Sequence, residues 1–207
     1  MSNVPVFEGN VVLCSDVSGS MSSEITGQRK NSKTGKMEMH STQVRCLDVA
    51  GLYTACMLRS NRNSRVIPFE GRAFADFKLN PRDSVMTNAN KLAAIGGGST
   101  SCDAPLRVLN SERADVDLVI FVSDYESQSQ GSRGSAMMEQ WELLKRRCPN
   151  AKLVCIDLTP HGTVQAPDRV DILNVGGFSD KVFEVVSAFT KGSTKEHWVD
   201  VIEKVEL

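Results

Sequence analysis

Hydrophobic positions in this chain fall into short runs alternating with longer stretches of helical period. Val11 to Cys14, Arg65 to Phe69, Leu118 to Val122, Leu153 to Ile156 and Ile172 to Val175 are apolar runs, several bounded by Gly, Pro, Asn or Asp. They read as buried strands, with a weaker one near Ala73 to Leu79. Between them the spacing turns helical. Leu47, Ala50, Gly51, Thr54, Met57 and Leu58 share one face, as do Val85, Ala89, Leu92 and Ala93, and Met137, Trp141, Leu144 and Cys148. Near the end, Ser193 and Glu196 form a capping-box signal ahead of Trp198, Val201, Ile202 and Val205, which predicts a C-terminal helix over 193–207 that packs on the domain.

Strands alternating with helices predict a doubly wound α/β fold, a mostly parallel sheet with helices on both faces. Its ligand site belongs at the carboxyl ends of the strands. No internal repeat or linker interrupts the pattern, so residues 1–207 read as a single domain, long enough to bury a substantial core. The stretch Ser22 to Ser41 lacks the pattern. It carries Arg29, Lys30, Lys33 and Lys36 among Ser, Gly and Asn, and reads as a polar surface insertion after the first strand.

Charge narrows the function classes. With 24 Lys and Arg against 25 Asp and Glu, bulk electrostatics draw the chain neither to nucleic acid nor to a membrane, so binding must come from a local site. No apolar run approaches a bilayer span, and Met1 to Asn10 lacks the regions of a signal peptide, so a soluble cytoplasmic protein is expected. Cys14, Cys46, Cys56, Cys102, Cys148 and Cys155 have no metal-type pair spacing and read as reduced core thiols. His40, His161 and His197 are scattered and read as surface or helix residues.

Three loops carry the chemistry. The first strand runs into Asp16-Val17-Ser18-Gly19-Ser20-Met21, where alternate spacing lets the oxygens of Asp16, Ser18 and Ser20 converge. Mg²⁺ takes six hard oxygen ligands and releases its waters reluctantly, which suits two hydroxyls and a carboxylate acting through water. An ordinary turn uses the same residue types, so this motif alone is weak. A second loop, Gly96-Gly97-Gly98-Ser99-Thr100-Ser101, precedes a helix starting around Asp103 and Pro105 and brings hydroxyls to the same edge. A third, Ser123-Asp124, ends the strand Leu118 to Val122 and places a carboxylate there.

In this order and on this fold, the loops resemble the metal-ion-dependent adhesion site of von Willebrand factor A domains. Asp16, Ser18 and Ser20 match its first motif, Thr100 its threonine loop and Asp124 its later aspartate, with Ser99 adjacent as the alternative hydroxyl. The run through Asn80-Pro81-Arg82-Asp83-Ser84-Val85 to Gly98-Ser99-Thr100-Ser101-Cys102 and Val122-Ser123-Asp124 is similar to the C-terminal domain of Ro ribonucleoproteins. Full Ro proteins carry an N-terminal ring of helical repeats, the TROVE module, which binds small noncoding RNAs; this chain has no room for one.

The resemblance implies that Ser18 and Ser20 bind Mg²⁺ (or Mn²⁺) directly, with Asp16, Thr100 and Asp124 acting directly or through water. Neutral direct ligands leave the ion hungry for an anion. The expected partner is therefore a protein, through an Asp or Glu carboxylate, with RNA in a Ro-like assembly as the alternative. No enzyme is expected. A phosphatase of the haloacid dehalogenase type needs Asp where Ser18 stands, a P-loop needs a lysine that does not follow Gly98, and a nucleophile elbow needs glycines that do not flank Ser18 or Ser20 at its spacing.

Overall fold

The structure is a computed structural model, and it describes residues 4–30, 37–124, 132–160, 166–167 and 169–192. The elements in chain order are β1 (Val11–Ser15), a single 3-10 turn (Ser20–Ser22), β2 (Glu24–Lys30), β3 (Met37–Arg45), α1 (Cys46–Ser60), β4 (Arg65–Val66), α2 (Val85–Ala93) and α3 (Ala104–Ser111). They continue with β5 (Leu118–Ser123), α4 (Ser132–Arg147), β6 (Lys152–Asp157), β7 (Ile172–Gly176) and α5 (Lys181–Thr190).

Five strands form one parallel sheet in the order β4-β1-β5-β6-β7. Both faces are covered, so the strands read as nearly unbroken apolar runs. Val11 and Leu13 of β1, with Leu118, Ile120 and Val122 of β5, face a cluster completed by α1 and α5. Val12, Cys14, Val119 and Phe121 face the opposite cluster, which is built with Leu106 and Leu109 of α3 and Met137, Trp141 and Leu144 of α4. The predicted doubly wound α/β architecture is what the chain adopts.

Local chemistry explains the helix starts. Asp48, in the first turn of α1, accepts the backbone N–H of Arg45 at 3.1 Å and pairs with its guanidinium, fixing the start of the helix. Ser84 accepts the Thr87 N–H at 3.0 Å at the start of α2. Asn61 closes α1, accepting the Phe7 N–H at 2.7 Å and donating to the carbonyls of Pro5 and Met57, both at 3.0 Å.

One expectation needs correction, and two elements were not foreseen. Within the polar surface insertion expected over Ser22 to Ser41, β2 and β3 pair antiparallel from Glu24↔Arg45 to Lys30↔Met37. A two-stranded ribbon can form from backbone pairing with few buried side chains, so it leaves little hydrophobic signature. The weak strand at Ala73 to Leu79 is absent from the sheet; only Ala73 bridges back to Phe69, and Phe74, Phe77 and Leu79 pack as loop residues against the α1-side core. Finally, α5 was not anticipated, although Val182, Phe183, Val186 and Phe189 bury one helical face.

All six cysteines are free, five of them buried and Cys56 partly so, as expected of core thiols. No helix among the described residues is long and apolar enough to cross a membrane. The helix expected over 193–207 lies outside the described residues.

Candidate metal site

The sheet order creates the site. From β1 the chain first adds β4 on one side and later β5 on the other, so β1 and β5 flank a switch point where loops diverge and leave a crevice at their carboxyl ends. Asp16 leaves β1 there, and Ser123 and Asp124 leave β5 there. Their backbones are in register: the Asp16 N–H donates to the Val122 carbonyl at 2.9 Å.

Asp16 is fully buried and holds the first loop in shape. Its Oδ1 accepts the Ser18 N–H at 2.9 Å, and its Oδ2 accepts the Ser123 hydroxyl at 2.5 Å. Ser18 Oγ lies 3.2 Å from Ser20 Oγ, and the Ser20 hydroxyl donates to Asp124 Oδ1 at 3.2 Å. Asp124 is itself buried, and its backbone carbonyl accepts from the Thr159 hydroxyl at 3.1 Å. Four of the five residues singled out from sequence therefore form one connected group of oxygens.

Thr100 arrives on a loop locked to the first by backbone bonds. The Gly19 N–H donates to the Gly98 carbonyl and the Gly97 N–H to the Val17 carbonyl, both at 2.8 Å. Gly96, at φ +91°, makes this contact possible: a Cβ there would sit 2.0 Å from the Val17 carbonyl oxygen. Of the two adjacent hydroxyl residues, Thr100 is buried, whereas Ser99 is exposed with its Oγ against Gly71.

Burial pushes the Asp16 carboxyl up to about 6. Hydrogen bonds from Ser123 and Ser18 oppose the rise without cancelling it, and the neighbouring Asp124 carboxylate adds to it.

The donor set suits a small hard divalent ion. At Mg–O bonds of 2.0–2.1 Å, adjacent ligands of an octahedron stand about 2.9 Å apart. Both 3.2 Å separations are longer than the usual O–H···O hydrogen bond and need only a small contraction to become such edges. Among the described residues no group of three or more His, Cys, Asp or Glu side chains is placed to hold a metal, so any ion here would depend on the hydroxyls.

Sequence reasoning missed two residues. Ser123 was seen only as the neighbour of Asp124, yet its hydroxyl orients Asp16. Glu70, beyond β4, accepts the Gly98 N–H at 2.8 Å. Both depend on strand register, which no local motif encodes.

A doubly wound parallel sheet with its loops gathered at the switch point is the architecture of von Willebrand factor A domains. Comparison with known proteins narrows this. The family model described as the Ro60 vWA domain matches residues 10–190, and the chain belongs to that family. It is 27% identical over 164 residues to the RNA-binding protein RO60 of Deinococcus radiodurans, covering 73% of this chain and 30% of that protein. The crystal structure of the Deinococcus radiodurans RO (RSR) protein superimposes with a TM-score of 0.65 at 22% identity, covering 89% of this chain and 34% of the other, a likeness of fold. The chain thus spans about a third of the length of these relatives.

Proposed function

We propose that this domain works within a Ro-like, RNA-binding ribonucleoprotein. Its own contribution is an Mg²⁺ or Mn²⁺ ion held by Ser18 and Ser20, with Asp16, Thr100 and Asp124 bound directly or through water. The observation that carries the ribonucleoprotein reading is the match to the Ro60 vWA model across almost the whole described sheet, seconded by a relative whose name is that of an RNA-binding protein. The hydrogen-bonded oxygen group at the strand ends supports the cation.

An ion held this way would have room to take an anionic oxygen from a partner. Both carboxylate oxygens of Asp16 already accept hydrogen bonds, which favours contact with the ion through water. The direct ligands are then mostly neutral and the ion keeps much of its charge. That same feature supports a second reading, a metal-dependent protein contact through a partner's Asp or Glu.

Purification of the protein from its native cells separates the two. The ribonucleoprotein reading expects small noncoding RNA to copurify and to vanish on nuclease treatment; preparations free of RNA would refute it. A protein contact through the ion expects a partner that survives nuclease and is released by chelation. For the cation itself, calorimetry should show Mg²⁺ binding to the wild type and none to Asp16→Ala; equal binding by both would remove Asp16 from the site.

A further inference from the structure

Thr100 sits on a glycine-rich loop with little side-chain anchorage of its own, and such a loop places a ligand oxygen only if something outside it holds its backbone. Beside the backbone bonds to Val17 and Gly19, Glu70 supplies such a contact. Pairing along β1 continues beyond β4 through the Ile67 N–H to the Leu13 carbonyl, the Phe69 N–H to the Ser15 carbonyl and the Val17 N–H to the Phe69 carbonyl, which carries Glu70 to the start of the Asp16 loop. There its carboxylate Oε2 accepts the Gly98 N–H at 2.8 Å, while its backbone carbonyl accepts the Ser101 N–H at 2.8 Å. One residue thus grips the loop on both sides of Ser99 and Thr100.

The grip reaches the first loop as well, because the Gly98 carbonyl accepts the Gly19 N–H at 2.8 Å. Space is tight: a Cβ on Gly98 would come within 2.8 Å of Glu70 Oε2. The Glu70 side chain is only 17% exposed, and its link to Arg72, 3.8 Å from the other carboxylate oxygen, runs to a guanidinium that is 76% exposed. Solvent screens that pair, so the bond to Gly98 is the one that sets the carboxylate's place. A carboxylate accepting a backbone N–H makes a stronger bond than a neutral acceptor.

From this geometry we infer that Glu70 is a positioning residue for the cation site, acting through Gly98 and Ser101 to set the place of Thr100 without touching the ion. This rests on the cation reading above. Second-sphere contacts of this kind are worth roughly 10- to 100-fold in metal affinity.

The test pairs Glu70→Ala with Glu70→Gln on the full chain, reading Mn²⁺ binding by electron paramagnetic resonance and amide exchange at Gly98 and Ser101 without metal. Glu70→Ala should weaken Mn²⁺ binding by about 10- to 100-fold and speed exchange at Gly98. Glu70→Gln keeps an acceptor oxygen at the same reach and should restore slow exchange and bind Mn²⁺ within the same order of magnitude as the wild type. Wild-type affinity in Glu70→Ala overturns the inference. So does a Glu70→Gln variant as weak as Glu70→Ala, because charge and not placement would then be responsible. A wild type that takes up no Mn²⁺ overturns the cation reading itself, a result distinct from either.

Discussion

Gly96 and Gly97 offer a paired test of how the two loops of the candidate site are joined. Both have positive φ, +91° and +106°. Replacing either with Ala imposes backbone strain of roughly 2 kcal/mol, within the range for a residue held in a sparsely populated region. Their surroundings differ: a Cβ on Gly97 meets nothing within 4 Å, whereas one on Gly96 meets the Val17 carbonyl oxygen at 2.0 Å and the Val17 side chain at 2.6 Å. The loops must part to admit it, stretching the Gly97 N–H to Val17 bond, and overpacking of this kind adds about 2 kcal/mol. For a domain of this size each kcal/mol moves the thermal midpoint by about 2–4 °C. Gly97→Ala should therefore unfold roughly 4–8 °C early and Gly96→Ala roughly 8–16 °C early, measured by circular dichroism in chelator. Gly96→Ala should also lose Mn²⁺ affinity by more than Gly97→Ala. Equal shifts in the two variants would refute the claim that the Val17 to Gly97 contact couples the loops.

Two further outcomes follow from other parts of the fold. Asn61→Ala removes three hydrogen bonds made by a buried side chain and should cost about 2–3 kcal/mol in urea unfolding, with faster amide exchange at Phe7; a change within error would show that Val4 to Phe7 is not anchored through Asn61. Asp171 contributes to acid stability. Burial raises its carboxyl, but hydrogen bonds from Arg169 and Trp141 and the charges of Arg169 and Lys145 outweigh this and hold it below its ordinary value of 3.8. A depressed folded value means stabilisation that is complete above 3.8 and lost as pH falls below it toward the folded value. Asp171→Asn should therefore flatten the acid limb of a stability–pH profile, and an unchanged limb would locate the acid sensitivity elsewhere.

The parallel sheet was legible because its strands are buried on both faces: Leu118 to Val122 is apolar at every position, a pattern few loops tolerate. The ribbon was not legible, since β2 and β3 pair through backbone and their few apolar residues, Ile25, Met37, Met39 and Val44, stand among polar and charged ones. Phe74, Phe77 and Leu79 misled in the opposite sense, being apolar because they cover the core as loop residues. In α5 the helical spacing was present, but Val182, Phe183, Val186 and Phe189 are β-branched or aromatic, of middling helix propensity in a short segment. For the site, Asp16, Ser18 and Ser20 could be read because one strand end delivers all three. Ser123 and Glu70 reach it only through the register of β1 against β5 and against the segment after β4, which is a property of the assembled sheet.

The β2–β3 ribbon begins and ends at nearly the same place. Ser23 precedes β2, Cys46 opens α1, and the Cys46 N–H donates to the Ser23 carbonyl at 3.0 Å. The path from Asp16 into α1 is therefore already closed beneath the ribbon, which hangs from it as a side branch. Such a branch can be lengthened or shortened beyond its feet, where Ile25 stays in the core and Arg45 stays paired to Asp48, leaving the strand, the Asp16 loop and the helix where they are. This is a modular port in the fold, through which one scaffold can acquire different surface extensions beside an unchanged site.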